Sequence, residues 1–73
     1  MKNIMLDFGS RVRELRLRSG MSQEVLAHQA QMDRTYVSGV ERGERNISIA
    51  NIYKIAAGLK VSVEYLFSDE RFS

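Results

Sequence analysis

"MSQEVLAHQAQMDRTYVSGVERG", residues 21–43, falls into two short segments with helical spacing, joined by residues that suit a tight turn. The second segment is the unusual one. Val37 and Val40 sit three apart, as on one face of a helix, while Arg34, Thr35, Ser38 and Gly39 fill the opposite face with short or cationic groups. A face kept clear of bulky apolar side chains is free to lie against something.

Composition narrows what that something is. A chain of 73 residues makes one domain, residues 1–73. Such a chain buries only about 60% of the surface its unfolded form exposes, so association with a partner or a second copy is expected to add stability. Cysteine is absent and there is a single histidine, which excludes a disulfide frame and the usual Cys/His zinc site; no metal or other cofactor is expected. The N-terminal segment lacks a basic start followed by an apolar run, and no apolar stretch is long enough to span a bilayer, so a soluble, cytoplasmic protein without a membrane partner is expected. Net charge is +2 and the pI 9.3, a weak signal for nucleic acid taken alone. Distribution says more: Arg11, Arg13, Arg16 and Arg18 crowd one segment with Glu14 as the only acid among them, and Arg34, Arg42 and Arg45 fall in and after the second segment quoted above.

Helix signals run along the whole chain and no alternating strand pattern occurs, which predicts an all-α fold of five helices. Ile4, Phe8, Val12 and Leu15 recur at helical spacing behind Asn3 as N-cap, with Gly20 placed to close a first helix over Ile4–Arg18. Ser22 caps a second helix through Gln31, with half a capping box because Val25 stands where its acid would be. Asp33 caps a third, ended by Gly43. Ser48 caps a fourth, whose Ile49, Ile52, Ile55, Ala56 and Leu59 turn inward, and Lys60 stops it where glycine or asparagine is usual. Ser62 caps a short fifth with Val63, Tyr65, Leu66 and Phe67. Met5, Met21 and Met32 are core filling, and His28 is a surface residue.

Between Leu26 and Met32 the chain must turn within about four residues, and Ala27 and Ala30 are small enough to let two helices cross closely. Two helices so joined form a helix-turn-helix, whose second member presents its outer face to the major groove of DNA. The stretch 21–43 resembles the helix-turn-helix of the Xre/phage-repressor superfamily: Gln23 opens it, Leu26, Ala30, Met32, Val37 and Val40 take its core positions, and Ala27 its small-residue position. "FGSRVRELR" is similar to the family's first helix and "IYKIAAGLKVSVEYLF" to its last two, while "DRTYVSGVERGERNIS" is most similar to the controller proteins of restriction–modification systems. The resemblance implies a lambda-repressor-like domain and a sequence-specific transcription regulator acting on its own promoter region. Two departures stand out. Gln31 occupies the turn position where glycine or asparagine is usual, at a cost of about 1–2 kcal/mol for a longer side chain held at positive φ. Ile47 replaces a common proline, as in the controller branch.

Within this motif Arg34 is the candidate base reader, because its guanidinium can donate two bonds to guanine O6 and N7. Thr35 and Ser38 offer hydroxyls to bases, and Gly39 allows close approach of the DNA. Gln23, Tyr36, Arg42, Arg45 and Asn46 are candidate phosphate contacts, which fix register without reading sequence. The resemblance further implies a buried structural pair between Arg16 and Glu41. Val63, Tyr65, Phe67 and Phe72 exceed the apolar groups a short terminal helix needs, and are read as a homodimer interface over a near-palindromic operator. Glu24 on the second helix is a candidate contact to RNA polymerase, with a solvated acid as the plainer reading. No nucleophile with a base, no paired carboxylates and no glycine-rich phosphate loop are present, which argues against an enzyme, and no residues remain for a small-molecule module. The alternative is an antitoxin-like or phage-type repressor subunit that acts mainly through a protein partner.

Overall fold

The computed structural model of the chain describes residues 3–73. It contains α1 (Ile4–Arg18), α2 (Gln23–Gln29), α3 (Arg34–Glu41), α4 (Ile49–Leu59), α5 (Val63–Leu66) and a final 3₁₀ turn, Glu70–Phe72, that sequence reasoning did not anticipate. No strand occurs among the described residues. The helix starts follow the sequence closely. Asn3 accepts hydrogen bonds from the amides of Met5 and Leu6, and Ser22, Ser48 and Ser62 each accept one from the amide three residues on. Asp33 departs from expectation: it begins α3 but makes no capping hydrogen bond, so only its charge at the positive end of the helix contributes.

The first four helices end by one device. Gly20, Gln31, Gly43 and Lys60 all take positive φ, at 71, 57, 74 and 61°. The following amide in each case reaches back five residues, Met21 to Arg16, Met32 to Ala27, Glu44 to Gly39 and Val61 to Ala56, at 2.8–3.1 Å. These are Schellman closures, in which a left-handed residue lets two amides satisfy carbonyls the helix leaves open. Gln31 and Lys60 hold that conformation without glycine's freedom. Because the closure consumes Ala30 and Gln31, α2 stops at Gln29 rather than at Gln31.

Helices α1, α2, α3 and α4 pack around Val12, Leu26, Val37, Val40 and Ile55, with Leu66 closing the core from α5. Two crossings are tight to the backbone. A Cβ on Gly9 would sit 2.1 Å from the carbonyl oxygen of Val40, so α1 lies directly on the end of α3. A Cβ on Gly58 would come within 3.1 Å of Ala30, so the small side chain of Ala30 makes room for α4. Ile49, expected inward, is 74% exposed, because the first turn of α4 stands clear of the core and Ser48 and Ala50 are exposed beside it.

Two of the four arginines of the first helix, Arg11 and Arg16, are buried rather than displayed, while Arg13 and Arg18 are exposed. Arg11 is 3% exposed and donates to the carbonyls of Leu66 (3.1 Å) and Tyr65 (2.9 Å) and to Glu14; it is ion-paired with Asp69 at 3.5 Å, and its guanidinium lies over the Tyr65 ring. Arg71 bonds Asp69, Glu14 and Ser10, so the last turn is clasped onto α1. The Arg71 amide, then its guanidinium and that of Arg11, hold the Asp69 carboxyl below the usual carboxylate range.

Two substitutions test these crossings and closures. Gly9→Ala should destabilise the fold by about 3 kcal/mol, near the top of overpacking costs, because a backbone carbonyl cannot step aside. Gln31→Gly should stabilise it by roughly 0.5–1 kcal/mol, the relief of left-handed strain less glycine's extra unfolded-state freedom. Thermal unfolding followed by circular dichroism measures both; equal melting temperatures for the two variants would contradict the packing described.

Candidate nucleic-acid interface

Helix α3 owes its placement to a buried ion pair. Arg16 of α1 meets Glu41 at the end of α3 through two parallel bonds, Nε to Oε2 at 2.6 Å and Nη2 to Oε1 at 3.0 Å. The side chains are 9% and 3% exposed. A third donor of Arg16 reaches the Met21 carbonyl at 2.9 Å, and Gln23 Nε2 donates to Glu41 Oε1 at 3.1 Å. The hydrogen bond to Glu41 raises the guanidinium's affinity for its proton above the ordinary value. The end of α1, the start of α2 and the end of α3 are therefore tied at one carboxylate. Gln23, expected at a phosphate, has its amide turned onto Glu41 instead, because a buried carboxylate must have its lone pairs satisfied.

With Val37, Val40 and Glu41 turned inward, α3 presents Arg34 and Thr35 to solvent at its N-terminal end. Arg34 has no hydrogen bond or ion pair with any other described residue, whereas Arg11, Arg16, Arg18, Arg42 and Arg71 are all paired. Ser38, one turn on, is half-buried and accepts a bond from Arg42, which also donates to Glu44 at 3.1 Å. That pairing raises the Arg42 pKa and lowers that of Glu44, at positions open to water.

Gly39 needs correction. It is buried, and a Cβ there would lie 3.0 Å from Cγ and Nε of Arg45, so the space above it is filled by the Arg45 side chain rather than left for DNA. Arg45 in turn sets its guanidinium 5.4 Å from the centre of the Tyr36 ring. Tyr36 is half-buried against the core, and its hydroxyl accepts a bond from Asn51 Nδ2 of α4 at 3.1 Å. Asn46 is exposed beyond Arg45. Sequence reasoning missed Asn51; the signal available was an amide in the first turn of a largely apolar helix.

The four residues read as a dimer interface do not form one exposed patch. Phe67 packs between Phe8 and Phe72, tilted against the first and edge-on to the second with ring centres 5.5 and 5.0 Å apart, and Val63 packs on the core, so these seal the molecule's own interior. Tyr65 is exposed, and the more exposed apolar groups lie elsewhere, at Ile49 and Tyr53 of α4 and at Ile4, Leu6 and Leu17 of α1.

Comparison with known proteins places this geometry among described ones. The helix-turn-helix family HTH_3 matches residues 12–66. Control protein C.MunI of Mycoplasma sp is 44% identical over 70 residues, covering 94% of this chain and 95% of that protein. The crystal structure of the restriction–modification controller protein C.AhdI from Aeromonas hydrophila superposes with a TM-score of 0.84 at 51% identity, over 86% of this chain and 96% of that one. The structure of C.Esp1396I bound to a 19 base pair DNA duplex superposes with a TM-score of 0.82 at 40% identity, over 86% of this chain and 84% of that one.

The buried pair and the exposed one should respond differently to loss of charge. Glu41→Gln should cost roughly 3 kcal/mol, because Arg16 is left charged and largely buried without its partner. Arg42→Gln should leave the melting temperature nearly unchanged, since that pair is solvent-screened. Calorimetric melting of the two variants decides it, and similar losses in both would contradict the inward role of Glu41.

Proposed function

The chain belongs to the helix-turn-helix family and, within it, to the controller proteins of restriction–modification systems, and from that premise we propose that it is a sequence-specific DNA-binding transcription regulator acting on its own promoter region. The observation that carries this is the outer face of α3: Arg34, alone among the arginines of this region in having no protein partner, stands beside exposed Thr35. A guanidinium with all its donors available is what bidentate recognition of guanine requires. Arg45, seated on Tyr36 and Gly39, with Arg42 and Asn46, supplies phosphate contacts on the flank. Ser38 contributes a hydroxyl proton, its oxygen being occupied by Arg42.

The role needs no catalysis, and among the described residues no helix is long and apolar enough to cross a membrane; the cytoplasm, where the promoter lies, is the assigned compartment. Two copies bind together, since a single recognition helix reads too few bases for an operator. Their contact uses Tyr65, which the sequence suggested, with Ile49 and Tyr53, which stand 74% and 62% exposed. Glu24 is exposed on α2, where a solvated acid is the plainer reading and a polymerase contact the alternative.

Titration on operator and scrambled duplexes at several salt concentrations tests the assignment. Arg34→Ala should weaken the operator by about 1–3 kcal/mol per half-site and random DNA far less. Arg45→Ala should weaken both, and should reduce the slope of log affinity against log salt by roughly one per subunit. Should Arg34→Ala lower both affinities by one factor, Arg34 is a phosphate clamp and not a reader.

Sedimentation at tens of micromolar, with and without operator, tests the assembly. A dimer is expected, weakened by Tyr53→Ser; a monomer under both conditions would overturn it.

A further inference from the structure

We propose that Glu44 is an internal competitor for DNA: its carboxylate occupies Arg42 in the free protein, and a DNA phosphate must displace it before Arg42 can grip. The proposal rests on the DNA-binding reading above.

Arg42 has two acceptors in the free chain. One Nη donates to the hydroxyl oxygen of Ser38 on α3, and the other to Glu44 Oε1 at 3.1 Å. A phosphate on the flank of the groove calls on the same donors, because carboxylate and phosphate oxygens both fit the fork of a guanidinium. The bond to Ser38 is neutral at its acceptor and can persist beside a phosphate. The bond to Glu44 opposes one, since a carboxylate left next to a phosphate repels it.

The end of α3 seats Glu44 for this contact. Gly43 takes a φ of 74°, and the Glu44 amide reaches back to the Gly39 carbonyl at 2.9 Å, so the helix closure fixes the backbone from which the acid projects. Its side chain then spans only two residues to reach Arg42, and Arg45 follows it directly. The hydrogen bond and charge of Arg42, and beyond them the charge of Arg45, hold the Glu44 carboxyl below the usual carboxylate range. An acid thus sits between two cations assigned to grip phosphate.

Stability gives no account of this acid, because the side chains of Arg42 and Glu44 are 54% and 60% exposed and a pair so open to water contributes little. Its effect falls on binding. Phosphates carry no sequence information, so the competition weakens the grip on every sequence alike and leaves discrimination to Arg34. A uniform weakening keeps more of the protein free of the many random sites that compete with an operator.

Glu44→Gln, Arg42→Gln and the double variant, made in the full chain, test the competition. Each is titrated on a duplex spanning the chain's own promoter region and on a scrambled duplex at several salt concentrations, with melting curves for all. Glu44→Gln should bind both duplexes about tenfold more tightly as a dimer, or roughly threefold per subunit, the scale of one exposed ion pair. Its slope of log affinity against log salt should steepen by up to about one per subunit, as Arg42 meets a phosphate with no acid beside it. In the Arg42→Gln background most of the gain should vanish, because Glu44 acts through Arg42. Melting temperatures should stay close to wild type. A gain of the same factor in both backgrounds would make Glu44 a general repulsive charge and overturn the competition. Weaker binding by Glu44→Gln would make the acid a support that orients Arg42, and unchanged binding would make the pair idle; either result overturns the proposal. A wild-type chain that binds both duplexes equally would instead bring down the sequence-specific reading and leave the competition to stand or fall on the Glu44 result.

Discussion

The double hydrogen bond between Arg16 and Glu41 is the constraint from which the rest of the site follows. Two charges taken out of water are tolerated only when their geometry satisfies nearly every donor and lone pair. Here that geometry requires α1, the turn before α2 and the end of α3 to meet at one point, because Arg16 also bonds Met21 and Gln23 also bonds Glu41. Any rotation of α3 about its axis would strand the carboxylate. The face carrying Arg34 and Thr35 is therefore aimed by an interaction on the opposite side of the same helix. Shape agrees with charge at this place, since Gly9 brings α1 against the carbonyl of Val40, next to Glu41.

The same economy governs the rest of the domain. A short chain cannot fill a thick core with large side chains, so helices approach until backbone meets side chain. Gly9 and Gly58 mark those approaches, and the repeated left-handed closures reverse the chain without spending residues on loops. Two of those closures fall on Gln31 and Lys60, where the backbone strain is offset by the packing of the flanking helices.

The arginines show how tertiary structure assigns work to residues that look alike. Arg11 clamps the carbonyls at the end of α5, Arg16 balances Glu41, Arg18 pairs with Glu14 along α1, and Arg71 clasps the last turn. Each is occupied within the molecule. Arg34 and Arg45 differ in kind, the first without a partner and the second resting on an aromatic face that leaves its edge donors available. Of the cations beside the motif, Arg34 and Arg45 are thus the two that no carboxylate holds.

Helix positions, their N-terminal serine caps and the left-handed closures were legible in the sequence, because capping, helical periodicity and turn conformation depend on residues three to five apart. The two-helix motif was legible for the same reason: its spacing is local. What the sequence concealed joins distant residues. Arg11 finds carbonyls at Tyr65 and Leu66, Tyr36 finds Asn51, Gly9 meets Val40, and the stem of Arg45 lies back over Gly39. A helical pattern marks Ile49 as inward and cannot know that α4 begins beyond the core's edge. Likewise it marks Phe67 and Phe72 as surplus and cannot know that they close over Phe8. By itself the sequence determined which segments are helical and that Arg34 and Thr35 lie on the side of α3 away from Val37 and Val40, since those are decided by neighbours along the chain. Only the tertiary structure decided which cations remain available to that face, because pairing is settled by whatever the packing of separate helices brings within hydrogen-bond reach.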